Sequence, residues 1–136
     1  MTYLEEEDFY SVIAEEHLAE VVDDDLSRLD ALEQTAMGEM TGYLNVRYDP
    51  TKCFRTDPDR IPIIVQMMVD IVLYHAHSRI MPDNVPTLRK DRYQNAISWC
   101  EKVADGFIAP DLPVKDEAPE TPLRFGSSSP KTEQYY

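Results

Sequence analysis

The sequence is poor in the residues that usually announce chemistry. It holds two cysteines, four glycines, one tryptophan and three histidines among 136 residues. Two cysteines cannot build a disulfide framework, and Cys53 and Cys100 lack the paired spacing of a zinc site. No glycine-rich phosphate loop, Ser-His-Asp pattern or activated cysteine neighbourhood occurs. No basic stretch leading into an apolar one opens the chain, so a secretory leader is not expected. The longest apolar stretch, Ile61 to Tyr74, is interrupted by Pro62, Gln66 and Asp70 and falls short of the ~20 residues that cross a membrane. These absences lead us to expect a soluble domain of a reducing compartment, with no membrane span, metal, cofactor or catalytic residues.

Basic residues are scarce as well: 13 Lys and Arg stand against 26 Asp and Glu, a net charge of −13. The imbalance is local. Residues 1–34 carry twelve acidic groups and only Arg28 as a base, whereas residues 35–106 carry nine of each sign. Such a surface repels phosphates, because affinity for DNA comes largely from Lys and Arg displacing counterions. Two readings remain open for the acidic quarter. It is a solvated face that keeps the chain dispersed, or it is a surface that meets a basic partner or lets DNA pass without sticking.

What the chain does have is helical periodicity over its first 106 residues, a length that suits one domain. Thr2 with Glu5 reads as a capping box, and the run Glu5-Glu6-Glu7-Asp8 suits the positive end of a helix dipole. A second short helix is expected over Glu15 to Val22. Asp23-Asp24-Asp25 offers caps for a third, roughly Asp25 to Tyr48, with Leu26, Leu29, Leu32, Ala36, Met40, Tyr43 and Leu44 at helical spacing. Gly38 and Gly42 within it suggest a close approach by a neighbouring backbone in the same domain. Asp49 to Asp59, with two prolines, reads as irregular. The next helix, from near Asp59 to Ile80, is apolar most of the way round and is therefore expected at the centre of an all-α bundle. A last amphipathic helix runs from Thr87 to about Asp105, with Gly106 placed to end it.

Residues 107–136 differ in kind. Five prolines, at 110, 113, 119, 122 and 130, exclude a helix or a central strand. Phe107, Ile108, Leu112, Val114, Leu123, Phe125, Tyr135 and Tyr136 punctuate the segment, with Arg124 beside Phe125. A disordered tail usually lacks such residues, so the segment reads as an extended docking arm attached to a helical domain of residues 1–106.

Candidate chemistry within the helices is thin. His75 and His77 stand two apart on a helix, face different ways and cannot share a metal ion. Glu15, Glu16 and Glu20 look like a carboxylate set of magnesium-dependent nucleotide hydrolases, but the facing helices offer only Glu39 and Asp70. Asp70 lies among apolar neighbours and needs a partner if buried. A structural ion pair with Arg47 or Arg92 is the expected answer.

Four stretches resemble one family. Tyr3-Leu4-Glu5-Glu6-Glu7-Asp8-Phe9, Gly42-Tyr43-Leu44-Asn45-Val46-Arg47-Tyr48 before Pro50, Asp70-Ile71-Val72-Leu73-Tyr74-His75-Ala76-His77, and Arg92-Tyr93-Gln94-Asn95-Ala96-Ile97-Ser98-Trp99 occur in the order seen in the Mu-type phage head–tail joining family. The resemblance implies an all-α neck adaptor without a catalytic step. It would form a homo-oligomeric, commonly dodecameric ring between the portal protein and a stopper or tail terminator protein. Packaged DNA would pass through that ring without specific binding, and the site of action would be the virion neck after synthesis in the host cytoplasm. A rival from composition is a small acidic regulator or DNA mimic that blocks a basic partner.

Overall fold

The computed structural model describes residues 1–115, and these are all-α: α1 (Glu6–Tyr10), α2 (Glu15–Val21), α3 (Arg28–Leu44), α4 (Pro50–Cys53), α5 (Pro62–Ile80) and α6 (Thr87–Asp105). Leu123, Arg124, Phe125, Tyr135 and Tyr136 of the expected arm lie outside the described residues.

Three long helices carry the core. α3, α5 and α6 pack pairwise, and α1 and α2 rest on α5. Pro62 occupies the first turn of α5, where its missing N–H has no intrahelical acceptor to lose. Ile64, Met68, Ile71, Val72, Leu73 and Ala76 along that helix are inaccessible to solvent, as are Ala96, Cys100 and Val103 on the inner stripe of α6. Glu39 of α3 reaches Tyr93 of α6, and Arg47, just past α3, reaches Ala104 and Asp105. These contacts make α3 and α6 run the same way, with α5 returning between them.

The start of the chain departs from the expected caps. The capping box forms one turn later than the Thr2 and Glu5 reading, between Glu5 and Asp8. Thr2 is drawn away by Glu33, whose carboxylate accepts from Thr2 N at 2.9 Å, Tyr3 N at 3.0 Å and Leu4 N at 2.7 Å. Nor do Asp23 and Asp24 cap α3. Both adopt left-handed backbone at φ 59° and reverse the chain after α2, a conformation that Asp tolerates better than most residues. Asp25 then orders the approach to α3 by accepting from Ser27 N at 3.1 Å.

Three further expectations are corrected. The stretch after Tyr48 is not wholly irregular, because Asp49 caps the single turn of α4 by accepting from Thr51 N at 3.0 Å, with Pro50 in its first turn. Gly38 and Gly42 have no close neighbour: a Cβ at either would meet nothing within 4 Å. Nor does the chain leave the helices at Gly106. Leu112 is buried, Asp49 N donates to Pro113 O at 3.0 Å, and Val114 pairs with Tyr48 in an isolated antiparallel bridge.

Candidate functional site

The ionisable residues singled out from the sequence serve as joints of the bundle. Asp70 of α5 is buried against α6, with Oδ1 3.9 Å from Arg92 NH1 and no hydrogen bond to that oxygen among the described residues. Burial raises its carboxyl above the ordinary range, against the opposing pull of Arg92 and Arg89. Arg47, the other partner considered for Asp70, points elsewhere. Its Nε donates to Ala104 O at 3.0 Å and its NH2 to Asp105 O at 3.3 Å, satisfying carbonyls at the end of α6. Gly106, in left-handed backbone at φ 79°, leaves room for this staple, since a Cβ there would lie 2.7 Å from Arg47 NH2.

The two histidines of α5 diverge. His75 Nε2 lies 2.6 Å from Glu39 Oε1, and Tyr93 OH donates to Glu39 Oε2 at 2.9 Å, so one carboxylate ties α3 to both other long helices. Tyr74 stacks on Tyr93 with ring centroids 4.1 Å apart. His77 is buried, and its Nδ1 donates to Leu73 O at 2.9 Å. Glu15, Glu16 and Glu20 are exposed on α2, and no group of His, Cys, Asp or Glu among the described residues could hold a metal ion. Cys53 and Cys100 are buried, which pushes their thiols up to about 11 and about 12 and keeps them protonated. A groove of about 650 Å³ between α1 and α5 is lined by Glu7, Asp8, Asp59, Arg60 and Arg92 among others. Arg60 there holds both oxygens of Asp8 and donates to Tyr3 O at 3.3 Å.

Exposed apolar side chains are the more informative feature. Leu26, Val46, Met81, Leu88, Phe107 and Val114 are the large apolar residues left exposed among those described. They sort to the two ends of the bundle. Leu26 precedes α3, Met81 ends α5 and Leu88 lies in the first turn of α6, and the proximity of Asp25 to Arg79 brings these three to one end. Val46, Phe107 and Val114 lie at the other end, joined by the Arg47 staple and the Tyr48 bridge. The exposed acids of residues 5–24 lie on α1, α2 and the turn after α2.

Residues 3–126 match the sequence profile of the family described as Bacteriophage Mu, Gp36. The chain belongs to this bacteriophage protein family. No curated protein and no solved structure matches it. In this family member the four motif stretches coincide with the joints just described. Tyr3 is buried beside the Glu33 anchor, Arg47 closes α3 on α6, and His75 meets Tyr93 through Glu39.

Glu33 and Leu112 were not among the expected core residues. Glu33 does stand on the inward stripe of α3, between Leu29 and Ala36, so helical spacing carried a signal for its burial. Leu112 stood among the apolar residues of the expected docking arm, but a leucine between prolines has no period that would place it in the core.

Proposed function

We propose that this phage protein is a structural connector of the virion neck, a rigid wedge that joins head to tail and works without a catalytic step. The observation that carries this reading is the sorting of the exposed apolar side chains to opposite ends of a braced helical bundle. A part that bridges two neighbours needs an adhesive surface at each end and a stiff body between. Here the stiffness comes from the Arg47 staple and the Glu39 link between the long helices. Membership of the Mu Gp36 family and the four-motif resemblance supply the phage setting.

In the proposed arrangement, copies close into a ring on the portal protein, commonly of twelve. The far side receives a stopper or tail terminator. The acidic flank, with no compensating basic patch in residues 1–27, would let packaged DNA slide past without adhering. The test is a protein inventory of purified particles. A connector is present in fixed proportion to the portal protein, in tailed particles above all. A protein found only in the infected-cell extract would instead be the acidic regulator.

A further inference from the structure

We infer that the groove beside Arg89 and His77 binds an apolar side chain together with its uncharged backbone amide, presented by a segment of a different protein. The inference rests on the connector reading for the source of that segment and adds the chemistry by which this end of the bundle holds it. The groove, about 470 Å³, lies where α2, the end of α5 and the start of α6 meet. Ile13, Val21, Ile80, Met81 and Leu88 give it mostly apolar walls. Two buried polar side chains, Arg89 and His77, also line it. Arg89 spends NH2 on Val12 O at 3.1 Å, while its NH1 is buried with no hydrogen-bond partner among the described residues. An unmet buried donor of this kind calls for an acceptor.

The acceptor need not be charged, because Asp70 answers the Arg89 charge from inside the bundle. His77 decides what else the occupant carries. Its Nδ1 donates to Leu73 O at 2.9 Å, which leaves Nε2 as a lone-pair acceptor that no described residue engages. Burial keeps this ring neutral by holding its pKa below the ordinary value. The groove therefore offers one donor from α6 and one acceptor from α5 between apolar walls. A carboxylate would meet the His77 lone pair and the exposed Glu20 on the α2 wall, and an ammonium would meet Arg89. A lipid tail or an ester brings acceptors alone. A peptide group answers both, its C=O accepting from Arg89 and its N–H donating to His77, while the adjoining side chain fills the apolar space. Such a peptide group must be free of helix and sheet bonds, so the occupant is a loop or an extended stretch with one bulky apolar residue.

The test titrates the full chain at neutral pH with four probes that share one branched apolar tail and differ in the head: N-methyl isocaproamide, methyl isocaproate, isocaproate and isohexylammonium. Nuclear magnetic resonance follows the backbone amides of Ile13 and Leu88 and the side-chain N–H groups of Arg89. The amide should move these signals saturably. The ester, which keeps the carbonyl and loses the N–H, should bind about fivefold more weakly, and the two charged probes should also bind more weakly than the amide. Leu88→Asp, at a side chain that is already exposed, should abolish saturable binding while keeping the parent's helical dichroism, with Leu88→Gln in its place if that variant fails to fold. No saturable shift with the amide overturns the inference. So does an ester or isocaproate that binds as tightly as the amide, or a Leu88 variant that binds like the parent. Sedimentation velocity closes the remaining route: self-association of the parent that Leu88→Asp abolishes would put a second copy in the groove and overturn the assignment to a different protein. The connector reading is tested separately by the particle inventory. A failed titration leaves that reading standing, and absence from particles leaves a measured amide preference standing.

Discussion

Three backbone N–H groups, from Thr2, Tyr3 and Leu4, converge on the buried carboxylate of Glu33. Charge-assisted bonds of this kind are the stronger ones, and removing their acceptor leaves buried donors unmet. Glu33→Ala should therefore destabilise the domain by about 3 kcal/mol. Chemical denaturation measures the loss, and faster amide exchange at Tyr3 and Leu4 would localise it; unchanged exchange there would contradict the anchoring role. His77 gives a prediction with a sign. Burial foremost, and the charge of Arg89, hold its pKa below the ordinary 6.5, outweighing the bond to Leu73 O. Below that value the unfolded chain takes up a proton that the folded chain resists, so this residue's contribution to stability declines as pH falls from 6.5 towards the folded pKa. The parent should lose more stability than His77→Gln between about pH 7 and about pH 5, as read from paired denaturation curves.

At the scale of elements, α3 and α6 were legible because each sustains a helical period for four or more turns, and α5 because it is a long, almost wholly apolar run. The turns between them were less so, for a physical reason. Arg47 bonds to carbonyls 57 and 58 positions away, and a backbone carbonyl leaves no mark in residue type. Asp23 and Asp24 resemble helix caps in composition, yet their left-handed backbone serves the end of α2. The proline pattern after Gly106 marked the loss of helix but could not show that Leu112 turns back into the core. This burial alters what truncation should do. A chain ending at Lys115 should keep its helical dichroism and melt like the parent. One ending at Gly106 loses Leu112 and the Pro113 carbonyl and should be less stable by about 2 kcal/mol. Equal melting of the two truncations would show that residues 107–115 add nothing to the domain.

At the scale of the whole molecule, the described residues form a short braced bundle with an acidic flank and apolar side chains at both ends. Its expected architecture was readable from the 3.6-residue period, and its phage setting from four ordered motifs that prove to be joints of the fold. The sorting of Leu26, Met81 and Leu88 from Val46, Phe107 and Val114 was not readable, because it depends on how α3, α5 and α6 run relative to one another. The connector claim concerns what this arrangement accomplishes in a particle, and electron microscopy of a phage lacking this protein tests it most directly. The account predicts DNA-filled heads and finished tails lying unjoined, with joining restored when the protein is supplied. Intact, infectious, tailed particles made without the protein would contradict it.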